Sequence, residues 1–365
     1  MNMKTKIWMA NLILPVLVFS ACNNDLDSSD QASLKTSINS SVETLTAAVN
    51  KISASSEFQL LSELNETNAS MASAQYAPAF QDDTLSIKLV NISGVYEYSS
   101  ARVKKGQNNI MRYFERTGDD AMMIVRLPVE KVKHPRALFS YSPADTTLTN
   151  NFEAAVNNYS YTSSRANGRE YQVNSVFSID NSSIGSFKIS SLRNKSNGYN
   201  YLSQYDLATG YSVKYQENSG DTAVSVYSIS KGATTLYEEK TAAFKVSGDN
   251  RHRERVYSLT IGNVQIVRSQ GPNSLDSAEV YVDGTLQTSA KVEMIINNPD
   301  STDQCLTHKK RDIKITFADG TSTTIRELTG NTIDSIGAIF SAVRQANFAT
   351  DIIDRIAWNI YFHKD

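Results

Sequence analysis

The fold is decided by residues 198–232, which read GYNYLSQYDLATGYSVKYQENSGDTAVSVYSISKG. Apolar and polar residues alternate through this stretch. In Tyr211–Tyr215 the two tyrosines and the valine share one face, while the serine and the lysine share the other. The pair Thr209-Gly210 has turn chemistry that tolerates positive φ. This pattern predicts antiparallel strands with one buried face and one wet face.

The same alternation continues from Asn158 to Asn298, where strands recur about every 12–15 residues and glycine-containing turns separate them. Such short connections leave no room for crossover helices, so we expect an antiparallel meander. The strands share a pattern but no repeated unit. Residues 311–328 predict a last hairpin through Asp319-Gly320.

Two segments before the meander carry local signals of their own. Residues 110–128 have the pattern of two strands around Gly118-Asp119, which predicts a hairpin. Residues 149–156 begin with polar residues, and Glu153 follows Asn150 at the spacing of a helix capping box. That spacing predicts one or two helical turns.

Amphipathic helices are predicted at both ends of the chain. Residues 31–64 have one apolar stripe at helical spacing, formed by Leu34, Ile38, Val42, Leu45, Val49 and Ile52. The stripe either docks on the protein's own body or forms a short heptad seam with a partner. Residues 65–79 have the composition of a linker, and residues 331–362 predict two helices that cover the apolar face of the sheet.

Together these patterns predict an α+β fold that is mainly β. We expect a domain over residues 80–365, built as a large antiparallel meander sheet or half-barrel and packed by the C-terminal helices. An N-terminal helix precedes this domain.

Residues 1–21, MNMKTKIWMANLILPVLVFSA, are organised as a secretory signal peptide, because Lys4 and Lys6 precede a short apolar run. The run is shorter than the roughly 20 residues that span a membrane. Cys22 follows directly, and FSAC at 19–22 resembles the lipobox of bacterial lipoproteins. The resemblance implies cleavage before Cys22 and anchoring in the membrane by several acyl chains, such as palmitate, on that residue.

The resemblance also implies an outer membrane lipoprotein, with its folded part on the periplasmic side or on the cell surface. Residues 22–30, CNNDLDSSD, contain turn-forming residues and no hydrophobic face, which predicts a flexible tether. An ordinary signal peptide, cut after Ala21 and leaving Cys22 unmodified, is the alternative.

The charge balance argues against nucleic acid as a partner. Without Lys4 and Lys6 the 36 basic residues fall to 34, against 38 acidic residues, and the basic run at 251–255 is too short to form a stripe. Cys22 and Cys305 are the two cysteines, so acylation of Cys22 excludes an intramolecular disulfide. The apolar core must then hold the fold.

The sequence contains no strong catalytic, metal-binding or cofactor-binding motif. The four histidines form no H-x-x-x-H or H-x-H pair, and there is no G-x-S-x-G, P-loop or G-x-G-x-x-G. Cys305 and His308 form a lone C-x-x-H, and the acidic loop with Asp300 and Asp303 lacks the glycine and distal glutamate of an EF-hand. We therefore predict no catalytic residue, metal or cofactor, and a hydrolase site assembled from distant loops is the alternative.

Two binding functions fit these features. The first is non-enzymatic binding of an apolar or amphiphilic ligand, such as a lipid, between the sheet and the helices. The second is a surface glycan-binding or adhesion module, for which Tyr199, Tyr201 and Tyr205 are the candidate ligand-binding residues. Strand packing with the hydroxyl at the wet edge also explains many of the 18 tyrosines.

Overall fold

The structure follows the period-two pattern of the sequence. It is a computed structural model, and it describes residues 28–63, 84–99, 110–133, 147–164, 168–194, 198–220, 222–246, 249–270, 277–297, 310–345 and 347–362. The first strands are β1 (Thr84–Lys88), β2 (Gly94–Tyr98), β3 (Phe114–Gly118) and β4 (Met123–Leu127). The next are β5 (Phe152–Ser164), β6 (Gly168–Ile179), β7 (Ser182–Asn194), β8 (Gly198–Leu207), β9 (Tyr211–Ser219), β10 (Thr222–Lys231), β11 (Thr234–Val246), β12 (Asp249–Ile261), β13 (Val264–Gln270), β14 (Ser277–Val282) and β15 (Thr285–Leu286).

From β5 to β15 each strand pairs antiparallel with the next one in sequence, as the alternation predicts. β4 and β1 lie end to end along one edge of β5, because β4 pairs with its first half and β1 with its second half. With β2 and β3 beyond β4, these strands form one 15-stranded sheet. The prediction of a mainly β fold with a large antiparallel meander is confirmed.

A second, small sheet follows the meander. It contains β16 (Lys291–Asn297), β17 (Lys310–Thr316) and β18 (Ser322–Thr324), paired in that order. The predicted hairpin through Asp319-Gly320 joins β17 to β18. Gly320 has φ +80°, which suits the turn.

The hairpin predicted within residues 110–128 is wrong. Strands form on both sides of Gly118-Asp119, but β3 and β4 do not pair with each other. β2 lies between them, antiparallel to β3 and parallel to β4. The turn signal was therefore local, and the pairing was decided by an apolar strand from an earlier part of the chain.

The helical turns predicted at 149–156 are also wrong, because this segment opens strand β5. Phe152, Ala154 and Val156 alternate into the core and are at most 3% exposed. Glu153 lies on the opposite face, where its carboxylate accepts a hydrogen bond from Arg126 Nε at 2.8 Å. Burial of alternate side chains outweighed the capping-box spacing in this segment.

Helices cover one face of the large sheet. They are α1 (Ser28–Ser53), α2 (Ser56–Glu63), α3 (Leu89–Ile92), α4 (Val129–Lys133), α5 (Ile325–Thr329), α6 (Thr332–Gln345) and α7 (Asn347–Phe362), with a 3-10 turn at Ile110–Arg112. We call the covered face the inner face and the opposite one the outer face. α6 packs against β8 and β9, and side chains of α7 meet tyrosines of β5 and β6.

Helix α1 docks on the protein's own sheet. It begins at Ser28, inside the segment 22–30 assigned to a tether, and all six residues of its predicted stripe are at most 7% exposed. The helix contacts β11, β12 and β13, and Ser41 Oγ donates a hydrogen bond to Asn263 Oδ1 at 2.9 Å. The stripe is therefore buried within this chain and is not left for a partner helix.

Two narrow gaps lie in the apolar space between the sheet and the helices. One gap lies between α7 and strands β4 and β5, and another lies between α1 and strands β12 and β13. Each has a cavity volume of about 10 Å³, which is the room of a single water molecule. Neither gap is large enough for an acyl chain.

Several predicted features lie outside the described residues. They are the signal peptide 1–21, Cys22 with residues 23–27, the linker 65–79, and the loop that carries Asp300, Asp303, Cys305 and His308. Among the helices that are described, none combines the length and the apolar character needed to cross a bilayer.

Candidate functional site

Tyrosine rings form a continuous run across β8, β9 and β10 on the inner face. Tyr199 stacks on Tyr201 with ring centroids 6.2 Å apart, Tyr201 meets Tyr215 at 5.8 Å, and Tyr215 meets Tyr227 at 4.6 Å. We call these four residues the tyrosine ladder. Phe340 of α6 ends the run, because its ring stands edge-on to Tyr227 at 5.2 Å.

Strand register builds the ladder. Tyr199 and Tyr201 are two residues apart in β8 and so share a face, and Tyr215 of β9 lies directly opposite Tyr227 of β10. Directly opposed residues hold their side chains in contact, which explains the short spacing of this pair. All four rings are partly exposed, so the ladder is an accessible surface at the border of the core.

Carboxylates accompany the tyrosines on the same face. The Tyr215 hydroxyl donates to Glu217 Oε2 at 2.9 Å, and the Tyr237 hydroxyl donates to Glu239 Oε2 at 3.1 Å. Burial raises the pKa of Tyr215 above its ordinary value, and the bond to Glu217 raises it further. At neutral pH the phenol is therefore protonated, and the carboxylate it touches has lone pairs left to accept further hydrogen bonds.

These carboxylates were missed in the sequence, although a signal was present. The motif Tyr-x-Glu occurs in YQE at 215–217 and in YEE at 237–239. In a strand, residues two apart point to the same side, so the motif predicts a tyrosine and a carboxylate in contact.

A buried carboxylate links helix α7 to the same face. Asp354 accepts hydrogen bonds from the Tyr171 hydroxyl, at 3.0 Å to Oδ1 and 3.1 Å to Oδ2. Burial raises the pKa of Asp354 to about 7, against the opposing effect of this hydrogen bond. Tyr171 shares a register row with Tyr201, and the small Ser191 lies between them on β7. The α7 contact therefore adjoins the ladder.

The structure separates the three predicted tyrosines. Tyr199 and Tyr201 belong to the ladder, whereas Tyr205 is fully buried. The Tyr205 ring packs against Phe177 and Phe187, with centroids 6.3 and 6.2 Å away, and its hydroxyl donates to the Ile184 carbonyl at 3.4 Å. Tyr205 is thus a core residue, which removes it from the candidate ligand surface.

A polar groove lies on the outer face, on the far side of the sheet from the ladder. Its cavity volume is about 350 Å³, within the size range of small-molecule sites. Its polar lining consists of Gln204, Asp206, Ser212, Lys214, Ser228, Ser230, Thr235 and Glu238. The groove was not predictable from the sequence. Its residues come from four strands, and they come together only when those strands pair.

Comparisons of the chain with models of known families, with curated proteins and with solved structures found no match. Within the described part of the chain, no three histidine, cysteine or acidic side chains gather as metal ligands do. The tyrosine ladder and the polar groove are therefore the two features of the described chain that bear on its function.

Proposed function

We propose that this chain is a lipid-anchored protein of the bacterial outer membrane that binds carbohydrate on the tyrosine ladder. The observation that carries the proposal is the unbroken run of partly exposed tyrosines, in which the ring centroids of neighbours lie 4.6–6.2 Å apart. An exposed aromatic face offers the C–H face of a sugar an apolar platform, while adjacent polar groups bind its hydroxyls.

Hydrogen-bonding groups stand where such a ligand needs them. Glu217 lies opposite Tyr201 in the register and is held by the Tyr215 hydroxyl. A carboxylate that already has one donor still accepts bonds from sugar hydroxyls with its other lone pairs. The ladder thus combines stacking with directional polar contacts.

The packing of the core favours a glycan over an apolar ligand. The apolar gaps that the structure describes between sheet and helices are about 10 Å³ each. A lipid chain needs an open apolar cavity, whereas a sugar chain needs only a surface. The proposed attachment to the outer membrane through Cys22 rests on the resemblance of FSAC to a lipobox.

The test combines a glycan array with calorimetric titration of the glycans that bind to the full-length protein. We expect Tyr201→Ala and Tyr215→Ala each to weaken binding about fivefold, since an aromatic contact contributes on the order of 1 kcal/mol. Tyr215→Phe keeps the ring and loses the bond to Glu217, so we expect a smaller loss.

Tyr281→Ala is the matched control. Its hydroxyl also bonds a carboxylate two residues away, Glu279 Oε2 at 2.6 Å, but it lies on β14, outside the ladder. Binding in this variant should equal that of the wild type. An array without signal, or equal losses in the control and the ladder variants, would contradict the proposal.

A further inference from the structure

The groove on the outer face is a built site with a closed end. Two rows of side chains line it: Gln204, Lys214, Ser228 and Glu238 follow one another in register from β8 to β11, and Asp206, Ser212 and Ser230 form the row beside them. The β8–β9 and β10–β11 turns close one end, and Gly232 N donates to Gly210 O at 3.4 Å between them.

Ser228 lies on the floor of the groove. The residue is only 7% exposed, although it lies on the outer face, and none of the described residues forms a hydrogen bond with its hydroxyl. The hydroxyl borders the groove and is therefore available to donate or accept a hydrogen bond with a bound molecule.

The charges of the groove are also unpaired. Among its described side chains, Gln204 and Asp206 bond each other, at 2.9 Å from Gln204 Nε2 to Asp206 Oδ1. The Lys214 ammonium and the Glu238 carboxylate have neither an ion pair nor a hydrogen bond. Their strands are separated by β10, so their backbones lie about 10 Å apart on either side of Ser228, and both side chains belong to the outer face.

We propose that this groove is a binding site for a small zwitterion of the α-amino-acid class. Lys214 binds the ligand carboxylate, Glu238 and Asp206 bind its ammonium group, and Ser228 supplies a hydrogen bond between them. The proposal concerns the face opposite the ladder, and it stands or falls independently of carbohydrate binding.

The charge pattern distinguishes this ligand from two others. Lys214 stands against the two carboxylates Asp206 and Glu238, so a phosphate would be repelled more than it is attracted. A neutral sugar can hydrogen-bond Lys214 and Glu238 but supplies a charge to neither, so its contacts lack the strength of an ion pair. A molecule with both an ammonium and a carboxylate compensates both groups at once.

The experiment is calorimetric titration of the full-length protein at pH 7 with each of the proteinogenic amino acids. Butylamine, butyrate, inorganic phosphate and glucose are the comparison ligands. We expect at least one amino acid to bind, and each of the four comparison ligands to bind at least about tenfold more weakly. Lys214→Gln and Glu238→Gln should each weaken amino-acid binding about tenfold or more.

Lys188→Gln is the matched control, because this exposed lysine lies on the same face, opposite Gln204 but outside the groove lining. Its affinity should be that of the wild type. Circular dichroism of each variant reports retention of the sheet, which we expect for substitutions at an open polar surface. Absence of binding by every amino acid, or binding that is insensitive to Lys214→Gln and Glu238→Gln, overturns the proposal.

Discussion

Asp354 on α7 makes the stability of this protein depend on pH near neutrality. Its carboxylate lies beneath the Tyr171 hydroxyl, and burial raises its pKa from 3.8 to about 7. The folded protein therefore binds this proton more tightly than the unfolded chain does. Between pH 4 and pH 7 the contribution of Asp354 to the free energy of unfolding falls as pH rises, and above pH 7 this contribution is constant.

The size of the effect follows from the shift. A rise from 3.8 to about 7 corresponds to about 4 kcal/mol. This figure is an upper limit because Asp354 is only half-buried, so water screens part of the effect. Asp351 adds to the effect as a like charge on the same helix, and burial raises its pKa too. Arg355 Nε pairs with Asp351 Oδ2 at 2.8 Å.

Asp354→Asn removes the titration and keeps an acceptor for the Tyr171 hydroxyl. We expect the variant to be more stable than the wild type at pH 8, by up to about 4 kcal/mol, and to lose most of the pH dependence between pH 4 and pH 7. Urea unfolding at a series of pH values measures both quantities. Asp334→Asn on α6, with a side chain that is 71% exposed, is the control and should follow the wild type. Parallel curves for Asp354→Asn and wild type would refute the reasoning.

Three further predictions concern packing, turns and capping, and urea unfolding measures each of them. Leu45→Ala removes a side chain of α1 that is 1% exposed and should lower the free energy of unfolding by about 2–5 kcal/mol. Glu43→Ala, on the exposed side of the same helix, should leave it almost unchanged. Equal losses in the two variants would contradict the docking of α1. Gly198 and Gly210 both have positive φ, at +74° and +83°, but an added Cβ at Gly198 would lie 1.7 Å from a backbone oxygen, and one at Gly210 meets nothing within 4 Å. Gly210→Ala should therefore lower the free energy of unfolding by about 1 kcal/mol, and Gly198→Ala should lower it clearly more. Similar losses in the two variants would show that the Cβ clash at position 198 does not destabilise the protein. Thr324 is the N-cap of α5, and its hydroxyl accepts a hydrogen bond from the Glu327 backbone N–H at 3.1 Å. Thr324→Ala removes this bond and should lower the free energy of unfolding by about 1 kcal/mol. An unchanged urea midpoint would show that the cap is not needed.

The meander was predictable because its information is local. In Tyr211–Tyr215 alternate residues go to opposite faces whatever the strand pairs with, and a glycine turn every dozen residues or so leaves sequence neighbours as the pairing partners. The α1 stripe was likewise predictable from its spacing. Its docking site was not, because an apolar stripe carries no information about which surface it covers.

The pairing of β2, β3 and β4 was not predictable for a related reason. All three are short and carry apolar side chains, and the order β4-β2-β3 depends on which of them reaches the free half-edge of β5. The same limit applies to the candidate sites. Residue type alone suggested Tyr199 and Tyr201, but Tyr215 joins Tyr227 only through the β9–β10 register, and the groove needs the register of four strands.

The long-range contacts of α1 set an order of events for folding. Every strand of the meander finds its partner among its immediate neighbours, so hairpins can close one after another at small entropic cost. Helix α1 is the first of the described helices in chain order, yet Ser41 bonds Asn263, Lys35 pairs with Asp319, and Thr46 shares a hydrogen bond with Thr332. These contacts form only after residues 222 to 286 positions further along the chain have been synthesised, so α1 is among the last of the described elements to settle.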